Sequence, residues 1–171
     1  MLYGIALPCS LFPVPCSLTP VLVETYLFAW NPKLWDWPEL GRDRRKLARR
    51  GYLDTGWNSG RARNIEPGSR AFLVRLGVEP RGIFASGTVM TAPVERLHWQ
   101  ADKAALGRTQ GHLMLRLDSL FAVPPVLLAD LAKPPFAGFR WSVRQSGTRV
   151  PGSRAEALEA LWARRIRALD R

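Results

Sequence analysis

From Glu24 onward the apolar residues fall in short runs separated by turn formers, the pattern of a mixed α and β chain rather than a helical bundle. Thr25-Tyr26-Leu27-Phe28-Ala29-Trp30, closed by Asn31-Pro32, predicts a first strand ending in a turn. Asp36 is placed to cap a helix that has Pro38 and Glu39 in its first turn and runs to about Arg50. Gly51 would stop it, and Leu40 and Leu47 would face the core. Gly56 to Asn64 reads as a polar loop carrying one large ring, and Ile65-Glu66-Pro67-Gly68 as a tight turn. Strands are predicted over residues 71–76 and 83–89, joined by a hairpin-like connection, with Gly82 and Gly87 marking bulges or close backbone approach.

From His112 to Leu120 the alternation is clean: Leu113, Leu115 and Leu117 share one face, and His112, Met114, Arg116 and Asp118 the other. That is a half-buried antiparallel strand. Pro124-Pro125 and Pro134-Pro135 bracket an apolar stretch long enough for one or two helical turns. Ser153 with Glu156 reads as a capping box for a C-terminal helix, with Ala157, Leu158, Leu161, Trp162, Ile166 and Leu169 as its apolar stripe. The elements add up to an α+β fold of about five or six strands curved into a small barrel, with helices packed outside.

A length of 171 residues fits one domain, and 47% hydrophobic residues supply a core. Charge sharpens the picture. Lys and Arg total 25 against 14 Asp and Glu, a net +11, and 21 of the 25 cations are Arg, which favours a polyanionic partner. Residues 1–23 carry none of this charge and no Trp, yet hold both cysteines and four prolines. Pro8-Cys9-Ser10-Leu11 returns as Pro15-Cys16-Ser17-Leu18, as a seven-nucleotide tandem repeat read through three frames would produce. With no basic start and an apolar run broken by Pro, the segment fits neither a signal peptide nor a membrane span. It is expected to be a functionless or disordered extension, or translated DNA upstream of the true start. The working domain is then residues 24–171, assigned to the cytoplasm and to no membrane. It lacks cysteine, which excludes structural disulfides and thiolate metal sites there.

Catalytic sets are scarce in that domain. The two histidines, His98 and His112, stand outside any HExxH or HNH-like grouping; Ser86 lacks the G-x-S-x-G frame; no G-x-x-x-x-G-K phosphate loop occurs. No catalytic residue, metal or cofactor is expected. Abundant instead are Trp and Arg together, the pairing expected where bases stack on rings and guanidinium groups hold the backbone.

Six ordered blocks carry a more specific likeness: Tyr26-Leu27-Phe28-Ala29-Trp30-Asn31-Pro32; Trp57-Asn58-Ser59-Gly60; Ile65 to Leu73; Gly77 to Gly87; His98-Trp99; and Trp141 to Gly147. Together they resemble an EVE domain of the PUA-like superfamily, especially the EVE modules joined to HNH nucleases in modification-dependent restriction. The likeness spans nearly all of residues 24–171. Ser69 departs from it, standing where the family's Gly-Asp-Arg turn has an acid, and no HNH segment follows Arg171.

The resemblance implies a PUA-like barrel that reads a modified base, typically a 5-methyl or 5-hydroxymethyl cytosine flipped out of duplex DNA, with a separate nuclease chain as a partner. On that implication Trp30 and Trp57 are pocket walls, Asn31 and Ser59 base-edge partners, and Gly60 a point of close backbone approach. Gln145, Ser146 and Trp99 are further pocket candidates. Arg61, Arg63, Arg75, Arg81 and Arg144 would hold the nucleic-acid backbone, and the cations between Arg42 and Arg50 could extend the footprint. Packing is the rival role for each ring: Trp30 ends a strand, Trp35 and Trp37 flank a helix start, Trp141 and Trp162 read as core, and His98-Trp99 could equally pin a strand end. Asn31 before Pro32 also suits a turn. Two other functions stay open. An RNA-binding PUA-like module for tRNA or modified RNA fits the same charge and rings. An ASCH-type hydrolase would place a Lys or an acidic pair in its cavity, whereas Lys33, Lys46, Lys103 and Lys133 fall in turn-like or basic surface contexts.

Overall fold

The strand with the cleanest alternation is the spine of the fold. In the computed structural model, which describes residues 23–169, β6 (Thr109–Leu120) buries Leu113, Leu115 and Leu117 and turns Met114, Arg116 and Asp118 outward. The extension expected at the N-terminus lies outside the described residues, apart from Val23. β6 pairs antiparallel with both β2 (Leu53–Gly60) and β4 (Gly82–Val89), and its first residues also pair with β5 (Val94–Leu97). β4 pairs with β3 (Arg70–Arg75), which lies parallel to β1 (Thr25–Trp30), and β1 is edged by β8 (Thr148–Val150). With β7 (Val126–Leu127) beside β4, the described residues form an α+β fold built on an open eight-stranded sheet and three helices, the short second of which is α2 (Ala101–Ala105).

β1, β3 and β4 are buried at nearly every position because both their faces are covered. On one face Phe28, Trp30, Leu73 and Phe84 join Leu53 and Trp57 of β2 and the β6 leucines in one core, against which Leu40 and Leu47 of α1 (Leu40–Arg50) pack. On the other, Leu27, Phe72, Val74 and Ile83 meet Leu158, Leu161 and Trp162 of α3 (Gly152–Leu169). One core thus draws on β1 and β2, which the order β2-β6-β4-β3-β1-β8 holds four pairings apart, so the sheet is strongly curved. Gly82 and Gly87 permit the tight approaches this requires: a Cβ at Gly87 would lie 2.3 Å from the Arg116 carbonyl oxygen, and one at Gly82 2.1 Å from that of Val126.

Several local expectations are corrected. Helix α1 starts at Leu40 and has no side-chain cap, so Asp36 does not cap it; the C-terminal stop at Gly51 is as expected, left-handed and donating to Leu47 O at 2.7 Å. The stretch read as a loop from Gly56 is strand as far as Gly60, because β6 offers a partner ladder in which Trp57 stands opposite Leu113. Ser153 lies inside α3 rather than capping it, and the Pro151 carbonyl accepts the Arg154 and Ala155 N–H groups instead. The segment between the proline pairs holds β7 and a single 3-10 turn, Asp130–Ala132. The strands beyond the expected five or six are short ones, β5, β7 and β8. Among the described residues no helix is long and apolar enough to cross a membrane.

Candidate functional site

A cleft of about 1030 Å³ opens where the turn after β1, the end of β2, residues 98–112 and residues 143–146 converge. Its aromatic wall is built outward from the core. Trp37 sits at the centre, with its ring centroid 5.9 Å from Trp30, 5.3 Å from Trp57 and 5.3 Å from Trp35, the last nearly parallel at 20°. Its indole N–H donates to Asp43 Oδ2 at 3.0 Å, tying the cluster to α1. Trp30 and Trp57, expected as pocket walls, do line the cleft but are buried in the core, so they form its floor. Two indoles combine the cleft with an open face: Trp99, 45% exposed and expected as a pocket candidate, and Trp35, 41% exposed, which sequence reasoning favoured for packing. The Trp35-Asp36-Trp37 spacing carries no signal that separates the two rings; the path of the chain between the β1 turn and α1 buries Trp37 and leaves Trp35 at the rim. Across the cleft Trp99 stacks on His98, with ring centroids 5.9 Å apart.

Polar groups converge on the same space. Asn31 and Asn58 line it, and each commits its side-chain oxygen to the backbone, to the Lys33 N–H at 3.1 Å and the Gly60 N–H at 2.8 Å. The amide nitrogen of each is therefore the end available to a ligand. Gln145 lines the opposite wall, and Gln110, which the sequence did not single out, joins it. Ser146 lines the cleft, and its buried Oγ accepts the Ala29 N–H at 3.0 Å, leaving the hydroxyl proton to donate. Ser59, expected at a base edge, is fully buried and donates to the Ala62 carbonyl at 3.1 Å; it shapes the β2 terminus instead. Gly60, expected to admit a base close to the backbone, instead meets this chain's own residues 145–146: its φ is +61°, and a Cβ there would sit 3.0 Å from the Ser146 carbonyl oxygen.

Every formally charged side chain in the lining is basic: Arg61, Lys103, Arg108 and Arg144. Of the arginines expected to hold a nucleic-acid backbone, Arg61 and Arg144 belong to this lining. The other three lie outside the lining and are engaged elsewhere. Arg63 reaches Glu95 at 3.2 Å, Arg81 pairs with Glu79 at 2.5 Å, and Arg75 donates to the carbonyls of Pro80 and Ala122 at 2.8 and 3.0 Å. Burial, then the Arg96 charge, holds the His112 imidazole below the ordinary histidine range, and burial, then Lys103, does the same at His98. Both line the cleft and are neutral near pH 7. Beside the cluster, α1 carries Arg42, Arg44, Arg45, Lys46, Arg49 and Arg50 against the single Asp43. A planar ring, a polar edge and an anionic backbone are the three chemical features this arrangement can hold at once.

No known family model matches the chain, and no curated protein does. Among solved structures it is similar to that of a hypothetical protein from Leishmania major, with 10% identity, a TM-score of 0.55, and coverage of 83% of this chain and 96% of that one. It is also similar to a crystal structure of a Pseudomonas syringae protein, at 14% identity and a TM-score of 0.50 over 80% of this chain and 98% of that one. At these identities what the chain shares with both is the arrangement of its elements over most of its length, so the α+β architecture is one that other proteins also adopt.

Proposed function

We propose that this chain is a non-enzymatic reader of modified nucleic acid, a PUA-like barrel of the EVE kind that takes a flipped modified cytosine of DNA into the cleft. The observation that carries the reading is the meeting of an indole wall and carboxamide groups in a cleft whose lining charge is entirely positive. In this reading the base stacks on Trp35 above the floor of Trp57 and Trp30, facing Trp99. Asn31, Asn58, Gln145 and the Ser146 hydroxyl meet its polar edge. Arg61, Lys103, Arg108 and Arg144 hold the flanking phosphates, with α1 extending the footprint.

The energetics are compatible. Extruding a base costs a few kcal/mol, and one base–aromatic stack returns about 1–3 kcal/mol, so two rings and an amide offset it. A 5-methyl group that fills an apolar niche adds about 0.8 kcal/mol. A cleft of about 1030 Å³ is at the top of the ~300–1,000 Å³ range for small-ligand sites, so it has room for a whole nucleotide with its phosphates. The chain then works in the cytoplasm as the recognition part of a restriction or defence system.

The test is a binding panel of short DNA duplexes and RNAs, plain or carrying 5-methylcytosine, 5-hydroxymethylcytosine or N6-methyladenine, at two salt concentrations. Tighter binding to a cytosine-modified duplex is expected. Indifference to every modification would sink the reading, and a preference for RNA would move it to an RNA-binding module.

A further inference from the structure

A leucine stands out at the cleft mouth where a polar residue would cost nothing. Leu34 lines the cleft beside Trp35 and is 59% exposed. It is not on a loose loop. The Asn31 carbonyl accepts the Leu34 N–H at 2.9 Å and the Trp35 N–H at 3.1 Å, and Asn31 Oδ1 accepts the Lys33 N–H at 3.1 Å. The indole N–H of Trp30, itself anchored in the core, donates to the Trp35 carbonyl at 2.9 Å. Gly77, with a φ of +75°, backs the turn so closely that a Cβ there would lie 2.1 Å from Asn31 Oδ1. The turn is therefore braced from both ends, and Leu34 rides on its tip.

A stiff apolar side chain at the edge of a cationic cleft gains little from water and nothing from a phosphate. It matches the apolar faces of stacked bases. Proteins that distort duplexes insert such side chains between base steps, and an extruded nucleotide leaves a gap of that kind behind it. We propose that Leu34 is the wedge that enters the duplex as the target nucleotide leaves the stack, with exposed Lys33 beside it against a flanking phosphate. The inference rests on the cleft being a base-flipping site. Because leucine has no hydrogen-bonding group, the wedge acts on duplex opening and adds no preference among bases.

The experiment compares the parent chain with Leu34→Ala and Leu34→Met on two probes: a duplex with one 5-methylcytosine paired to guanine, and the same modified strand alone. Leu34→Ala is expected to weaken duplex binding roughly tenfold or more, since unstacking is no longer offset, and to bind the single strand within about twofold of the parent. Leu34→Met should stay near the parent on both. A 2-aminopurine placed next to the target should brighten when the parent binds the duplex and stay dim with Leu34→Ala. Equal losses on duplex and single strand, or an unchanged duplex affinity, would overturn the wedge. Repeating the comparison with plain cytosine separates the two ideas. A parent that ignores the methyl group counts against the reader, while the duplex-to-single-strand ratio still reads Leu34.

Discussion

Trp35 meets Trp57 edge to face, with ring centroids 5.8 Å apart and planes at 73°, yet the first ring is 41% exposed and the second only 5%. The contact joins a surface that a ligand can reach to the packing that supports it. The two rings therefore make separable contributions.

Trp35→Ala should leave the fold nearly intact and cut affinity for modified DNA by the value of one stack, about 1–3 kcal/mol, or roughly fivefold to 150-fold. Trp57→Ala should instead lower unfolding free energy by about 3–5 kcal/mol, as truncating a buried aromatic does. Denaturant melts paired with binding titrations distinguish them. A Trp35→Ala variant that melts like Trp57→Ala, or that binds modified DNA like the parent, would refute this division.

The charges divide in the same way. Lys103, Arg108, Arg61 and Arg144 line the cleft, whereas Arg81 is held by Glu79 and Arg75 by two carbonyls. Replacing Arg108 or Arg144 by Gln should weaken binding to every duplex and flatten the dependence of log K on log salt by about one unit each. Arg81→Gln should leave the slope unchanged. Titrations at four salt concentrations measure it, and a flattened slope for Arg81→Gln would bring that residue back into the interface.

Much of the architecture was legible because its causes are local. The Leu113, Leu115, Leu117 alternation needs only the period of a strand to be read, and Gly51 only the backbone freedom that ends a helix. What could not be read depended on distant partners. The stretch from Gly56 to Gly60 has the composition of a loop and becomes strand because β6 pairs with it. Ser153 offered a good local cap, but the helix starts at Gly152, and the backbone carbonyl of Pro151, which no side-chain pattern announces, accepts the first-turn N–H groups. The site followed the same division: the cleft lining brings together Trp30, Asn31, Trp57, Gly60, Trp99, Arg61, Arg144, Gln145 and Ser146, all singled out from the sequence, and leaves out Ser59, Arg63, Arg75 and Arg81. Trp35, Gln110, Lys103 and Arg108 joined them only through the way the β1 turn and the 98–112 segment fold over the sheet.

Gly60 links backbone conformation to the site. Gly60→Ala puts a Cβ on a left-handed residue and 3.0 Å from the Ser146 carbonyl, so it should cost roughly 1–2 kcal/mol of stability. It should also push Gln145 and Ser146 away from β2 and weaken DNA binding beyond the stability loss. Differential scanning calorimetry and binding measured well below the transition check both effects. A variant as stable as the parent would mean that the β2 terminus adapts freely.

Tyr26 gives the protein a defined alkaline limit. Burial, then its hydrogen bond to Glu24, pushes the Tyr26 hydroxyl from 10.0 up to about 12. It donates to the Glu24 carboxylate and reaches the Asn64 carbonyl at 3.3 Å, so ionisation would set a buried phenolate against a carboxylate. Below about pH 10 neither the folded nor the unfolded chain ionises this residue, and its contribution to stability is fully present. Between about pH 10 and 12 the unfolded chain releases the proton while the folded chain retains it. Stability must then fall as pH rises across that window. Tyr26→Phe should remove this descent and lower the plateau near neutrality by about 1 kcal/mol for the lost hydrogen bonds. Urea unfolding at intervals from pH 8 to 12 reads both quantities, and a parallel descent in the variant would assign the alkaline loss to other groups.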